Sequence, residues 1–183
     1  MKVIAGKFGG LNLSTVKGRN TRPTSAKVKE SMFNMLSPYL HNVTKGVDLF
    51  AGTGALGIEA VSRGVETMYL VDQNRQAINV IKDNIAKTHA TNEFTVWSIS
   101  AQKAVQRLLQ SQTKMDLLLL DPPYAQHVTL QLIQECLPIL TSQALVLIET
   151  DYDLHEQILP GFSTIASKQY GLTFVEIWQY EGI

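Results

Sequence analysis

Four consecutive residues, Asp121-Pro122-Pro123-Tyr124, follow directly on the apolar run MDLLLL. Two adjacent prolines lock φ and remove two backbone donors, so a loop at this place presents carbonyl acceptors in a rigid geometry. An exocyclic amine is a poor nucleophile, since its lone pair is delocalised into the base that carries it. Held between a carboxylate and a carbonyl that accept its two N–H groups, the nitrogen can be oriented, its lone pair turned toward an electrophilic methyl and its developing positive charge stabilised. Asp121 and the carbonyl of Pro122 are the candidate pair. Pro123 and Tyr124 complete the substrate-facing loop, with the Tyr124 ring able to stack on a base taken out of its helix.

A second constellation lies upstream. The segment Asp48-Leu49-Phe50-Ala51-Gly52-Thr53-Gly54-Ala55-Leu56-Gly57 fits G-x-G-x-x-G, and glycines at such a turn let the backbone approach a nucleoside without a Cβ in the way. Asp72 stands 20 residues beyond Gly52, where a carboxylate can accept hydrogen bonds from both hydroxyls of a ribose. Together the two features imply an adenosine-type cofactor without deciding which one.

These residues need a scaffold that brings them to one edge. Residues 1–23 hold two alternating pieces, KVIAG and LNLST, joined by Lys7-Phe8-Gly9-Gly10, which reads as a small hairpin. Val28, Met32, Phe33 and Leu36 share one helical face, with Thr24 or Ser25 as cap and Pro38 as stop. Beyond Gly46, strands are expected at 47–51, 67–72, 93–99, 115–121 and 144–149. Helices are expected at 54–62, 75–87, 101–110, 128–137 and 153–159, and the tail closes as an antiparallel pair joined at Gly171. Alternation of this kind implies an α/β fold with a parallel sheet and right-handed crossovers. Such sheets bind ligands at the carboxyl ends of their strands, near the topological switch point. Ala51 to Gly54, Asp72-Gln73, Ser100-Ala101, Asp121 to Tyr124 and Glu149 would all face that crevice.

Composition sets the outer bounds. With 183 residues, 45% hydrophobic and 17% charged, the chain suits one folded domain, read here as a basic arm over 1–23 and a catalytic domain over 24–183. The four-residue apolar stretch near the N-terminus is too short for a signal-peptide core, and no run approaches the ~18 apolar residues of a membrane span, so a cytoplasmic protein is expected. The single Cys136 sits in an apolar run, which excludes an intrachain disulfide and a cysteine zinc cluster. His41, His89, His127 and His155 share no metal-ligand spacing, and no metal is expected. Net charge is zero, yet residues 1–30 carry seven basic residues against Glu30 alone. That arm is a footprint for a phosphate backbone, with Lys17 and Arg19 as candidate contacts.

The order DLFAGTGALGIEA, LVD, DPPY resembles amino-directed class I methyltransferases. The upstream NTRPTSAKVKESMFNML and the ending Lys168-Gln169-Tyr170-Gly171-Leu172-Thr173 resemble one family among them, the RsmD-like 16S rRNA guanine-N2 methyltransferases. The resemblance covers nearly the whole chain. It implies a Rossmann-like class I fold with a mostly parallel seven-stranded sheet and helices on both faces. It also implies S-adenosylmethionine as donor and transfer to the 2-amino group of one guanine in 16S rRNA, within an assembling or assembled small subunit; a monomer is expected. Carried over by position, Asp48, Phe50, Ala51, Gly52 and Gly54 would cradle the cofactor, Asp72 its ribose, and Arg22 with Thr24 its methionine end. Tyr124 stands where many members have Phe, which keeps stacking. Ser100 stands where an Asp often binds the adenine, so that task would pass to the backbone of Ala101 or to Gln73.

Rival readings make different demands. A nicotinamide-dependent oxidoreductase shares the glycine fingerprint but needs a substrate domain and a hydride-transfer partner, and it leaves Asp121 to Tyr124 without a role. An adenine-N6 enzyme uses the same loop, because both purines offer an exocyclic amine. A non-enzymatic RNA-binding domain would have no use for Asp72 and Asp121.

Overall fold

The computed structural model describes residues 1–15, 26–123, 129–154 and 157–182. Its centre is a strand of consecutive leucines, β4 (Met115–Leu120), buried at every position but Asp116. Side chains alternate across a strand. Leu117 and Leu119 therefore enter one core, while Leu118 and Leu120 enter the other. A strand with both faces apolar must be covered on both sides, which is the burial pattern of a parallel sheet.

Seven strands form that sheet in the order β3-β2-β1-β4-β5-β7-β6. They are β1 (Lys45–Asp48), β2 (Thr67–Val71), β3 (Phe94–Trp97), β4, β5 (Leu140–Thr150), β6 (Phe162–Tyr170) and β7 (Thr173–Tyr180). All neighbours are parallel except those of β7, which runs antiparallel to both β5 and β6. This is the Rossmann-like class I methyltransferase fold. The insertion of β7 between β5 and β6 departs from the 3-2-1-4-5-6 order of the dinucleotide-binding sheet.

The helices are α1 (Ala26–Leu36), α2 (Ala55–Ser62), α3 (Arg75–Thr88), α4 (Ala101–Gln110) and α5 (Thr129–Cys136). The first three cover one face of the sheet, and α4 and α5 cover the other. Every residue of α2 is buried, because the N-terminal segment and α1 close over the side that the sheet leaves open. Val3 and Leu13 are the plugs of that segment, at 1% and 5% exposure. Gly57 packs against β2 so closely that a Cβ there would lie 2.2 Å from the Leu70 side chain. The third glycine of the fingerprint is thus a packing residue.

Several expected boundaries move. The first strand covers 45–48 rather than 47–51, since the chain turns at Leu49 toward the glycines. The fifth begins at Leu140, where a 3-10 turn over Leu137–Ile139 feeds it directly, and not at 144. The expected hairpin carries a single bridge, Lys2 to Asn12, because its polar groups are taken by α2 side chains instead of a longer ladder. No helix forms at the described part of 153–159. Leu154 is fully buried there, and its carbonyl accepts Gln157 N–H at 2.8 Å. Cys136 is buried as expected, and burial pushes its thiol up to about 12.

Candidate active site

The strand order reverses at β1, with β2 and β3 on one side and β4 and β5 on the other. A crevice opens at such a switch point, beyond the carboxyl ends of the strands. The chain leaving β1 makes the glycine turn. Gly52 and Gly54 take φ of 55° and 79°, the left-handed region where a side chain is strained. Ala51 N–H donates to the Val71 carbonyl at 2.9 Å, which fastens the turn to the end of β2.

Asp72 comes next after β2. One carboxylate oxygen accepts Gly52 N–H at 3.0 Å and the other accepts Asn74 N–H at 2.7 Å. Each oxygen has a second lone pair to offer. Gln73 beside it is exposed, and Asn74 caps α3 by accepting from Gln76 and Ala77 N–H. After β3, Ser100 caps α4 and its hydroxyl accepts Lys103 N–H at 3.3 Å, which gives it a structural duty where an adenine contact was in question. Ala101 is buried at the first turn of that helix. Phe50 and Ala51, half-buried and buried, line the way from β1 into the turn.

Asp48 ends β1 at 0% exposure. One oxygen accepts Phe50 N–H at 3.3 Å, and the other finds no hydrogen-bond partner among the described residues. Burial raises this carboxyl to about 7 against the Phe50 hydrogen bond, and the neighbouring Asp72 charge pushes in the same direction. Because the folded value lies above the ordinary 3.8, the folded chain holds the proton more tightly between those limits. Stability of the ligand-free protein should therefore fall as pH rises from about 4 to about 7. Asp48→Asn should flatten that slope in denaturant titrations taken across the range. An equal slope in both proteins would mean that Asp48 is not its source.

On the other side of the switch point, β4 delivers Asp121, half-buried, then buried Pro122 and exposed Pro123. Leu120 pairs with Ile148 on β5, so Asp121 comes beside Glu149 at the strand ends, and Glu149 is 2% exposed. The glycine turn and Asp121 thus leave adjacent strands. Lys17, Arg19, Arg22, Thr24 and Tyr124, together with His127 and His155, lie outside the described residues. Among the described residues no cluster of His, Cys, Asp or Glu could hold a metal ion, and no helix is long and apolar enough to cross a membrane.

Two polar groups emerge that the sequence reading did not single out. Glu59 in the apolar helix ALGIEAVS is fully buried, with buried Lys29 3.0 Å away and Arg63 Nε 2.9 Å away. Lys29 thereby leaves the basic arm, and Lys7 pairs with Glu93 at 2.6 Å, so part of the positive balance of residues 1–30 is neutralised within the fold. The second group is Asn84, fully buried on α3. A charge or an amide inside an apolar helical stripe was the available signal for both.

Comparison with known proteins agrees with this geometry. The family model described as Conserved hypothetical protein 95 matches residues 1–179. The chain is 38% identical over 186 residues to the "Putative rRNA methyltransferase YlbH" of Bacillus subtilis (strain 168), covering 100% of each. It is 30% identical over 185 residues to "Ribosomal RNA small subunit methyltransferase D" of Escherichia coli (strain K12), covering 99% of this chain and 90% of that one. The solved structure "Putative methyltransferase yhhF from Escherichia coli" superposes with a TM-score of 0.87 at 26% identity, covering 100% and 99%. With the match running almost end to end and the sheet order that of a class I methyltransferase, the chain belongs to the family of that model, the RsmD-like methyltransferases.

Proposed function

We propose that this protein methylates the exocyclic 2-amino group of a guanine in 16S rRNA of the small ribosomal subunit, with S-adenosylmethionine as donor. The observation that carries the reading is the exit of the glycine turn and of Asp121-Pro122 from neighbouring strands at the switch point. The residues present fit the donor. A Cβ at Gly52 would meet nothing nearer than 3.9 Å, which leaves open space beside the turn. Asp72 keeps lone pairs for two ribose hydroxyls, and the Asp48 oxygen that finds no hydrogen-bond partner among the described residues suits a ligand bearing positive charge. When bound, S-adenosylmethionine supplies an electrophilic methyl group.

The acceptor side is the work of the chain's own residues. Asp121 and the Pro122 carbonyl would each accept one N–H of the guanine amine and fix its plane, while the carboxylate offsets positive charge growing on the nitrogen. Tyr124 would stack on the base. The names of the curated relatives support rRNA as substrate, and the family resemblance carried by the N-terminal sequence NTRPTSAKVKESMFNML favours guanine over adenine. Adenine-N6 methylation is the second reading, because the same loop accommodates either amine.

The test is transfer of tritiated methyl groups to small subunits from a strain lacking the activity, followed by digestion and mass analysis of the nucleosides. N2-methylguanosine is expected. N6-methyladenosine would establish the second reading, and an absence of transfer to any RNA would remove both.

Two binding predictions follow the same division of labour. Asp72→Ala should weaken S-adenosylmethionine binding by about 1.5–3 kcal/mol, the range for hydrogen bonds with a charged partner. Calorimetry showing unchanged affinity would remove Asp72 from the cofactor site. Reversing charge at Lys17 and Arg19 together should weaken RNA or subunit binding and reduce its salt slope, with cofactor affinity intact. The same RNA affinity and salt slope in variant and parent would count against the arm.

A further inference from the structure

Asn84 is enclosed completely, and both atoms of its amide are engaged. Its oxygen accepts Ser14 N–H at 2.7 Å and Lys87 Nζ at 3.3 Å. Its nitrogen donates to the Ser14 carbonyl at 3.1 Å and to the Thr53 carbonyl at 2.9 Å. A primary amide can donate twice and accept twice, so this one is fully used.

The partners lie in two places that matter. Thr53 stands between Gly52 and Gly54, both at positive φ, where backbone freedom is greatest and the peptide plane must be fixed by hydrogen bonds from outside. Ser14 closes the N-terminal segment just before the stretch that carries Lys17 and Arg19. Lys87 touches the second place directly, donating to Ser14 Oγ at 2.7 Å and to the Asn12 carbonyl at 3.4 Å, and it reaches the first only through the 3.3 Å bond to Asn84 Oδ1. One helix side chain thus holds the cofactor turn and the base of the arm at a fixed spacing.

We propose that Asn84 is a positioning residue for both ligands, setting the cofactor turn through Thr53 and the RNA-binding arm through Ser14. The inference rests on the functional reading above. It adds that the two binding steps share one structural post, so that damage to Asn84 is felt by both while damage to Lys87 is felt by RNA alone.

The experiment compares the parent with Asn84→Ala, Asn84→Asp and Lys87→Ala. S-adenosylhomocysteine affinity is measured by calorimetry well below each protein's unfolding temperature, and small-subunit affinity by filter binding. Asn84→Ala is expected to weaken S-adenosylhomocysteine about tenfold or more, the scale of losing one buried hydrogen bond that fixes a binding loop, and to weaken the subunit as well. Asn84→Asp keeps the volume and the acceptor for Ser14 N–H but loses both donors, so it should show the cofactor defect even if Asn84→Ala does not fold. Lys87→Ala should weaken the subunit and leave S-adenosylhomocysteine at parent affinity. A role in stability alone would lower the unfolding temperature of the variants without moving affinity measured in their folded state. Parent-like S-adenosylhomocysteine affinity in a folded Asn84→Ala or Asn84→Asp overturns the proposal, and so does a cofactor defect in Lys87→Ala equal to that of the Asn84 variants. A parent that binds no S-adenosylhomocysteine would instead refute the cofactor reading beneath it.

Discussion

Glu59→Ala is expected to lower folding stability by about 3–5 kcal/mol, the cost of removing one partner from a buried ion pair and leaving the other charge uncompensated. The carboxylate accepts Ile4 N–H at 2.8 Å, Ala5 N–H at 3.1 Å, Lys29 Nζ at 3.0 Å and Arg63 Nε at 2.9 Å. Without it, the fully buried Lys29 ammonium keeps, among the described residues, only the Lys2 carbonyl, at 2.7 Å. Burial lowers the Lys29 pKa even with Glu59 present, so the unpaired lysine would shed its proton or open the packing around it. The loss should come with detachment of the N-terminal segment, because two of the broken hydrogen bonds hold Ile4 and Ala5. Denaturant unfolding of Glu59→Ala provides the measurement, and a loss below about 1 kcal/mol, typical of an exposed pair, would contradict it. The double replacement Lys29→Met with Glu59→Leu should recover much of the loss, since apolar groups of similar volume need no partner.

The pH dependence of this cluster carries a definite sign. Burial alone would raise the Glu59 carboxyl, but the Ile4 N–H, Arg63 and Lys29 outweigh it and hold the group below its ordinary 4.5. The unfolded chain therefore binds its proton more readily than the folded one. Stability from Glu59 is present above about pH 4.5 and is lost as pH falls through the lower folded value. Asp48 acts in the opposite sense, as its raised value stabilises the acid side.

The second large effect belongs to the chemistry. Asp121→Ala is expected to lower turnover about a hundredfold or more, taking the loss of one preorganised charge-stabilising group as the guide. S-adenosylhomocysteine affinity should change far less, since the residues proposed to hold the cofactor follow β1, β2 and β3 while Asp121 follows β4. Asn at this position still offers a carbonyl but no negative charge, so Asp121→Asn should fall between Ala and parent. Tyr124→Phe should remain near parent, the stacking face being kept. Near-normal turnover of Asp121→Ala on saturating subunits would remove the carboxylate from the mechanism, and a matching fall in cofactor affinity would relocate it to the cofactor pocket.

Much of this protein could be read along the chain because its signals are local. The alternation of short apolar runs with helical stretches placed all seven strands, and the continuous leucines of β4 foretold a strand buried on both faces. Spacing alone identifies the glycine fingerprint and Asp72, and the fold joins them by a hydrogen bond of 3.0 Å. Strand ends were less legible, as at β5, since register against β4 and β7 decides where pairing begins. A helix over 153–159 is the local expectation, and the described residues of that stretch are not helical.

What only the tertiary structure decided concerns polar groups whose partners are far away in the chain. Lys29 counts as one more positive charge in the sequence, and pairing with a residue 30 positions later makes it part of the core. The sequence places Ser100 at the end of β3, and only the fold shows its hydroxyl capping α4 by accepting Lys103 N–H at 3.3 Å. Asn84 reaches Ser14 across 70 residues and Thr53 across 31. Periodicity reports which side of an element faces inward, because burying apolar area favours any arrangement that hides it. Hydrogen bonds and ion pairs are directional and short, so their partners are set by how the elements cross, and that is fixed only when the whole sheet has assembled.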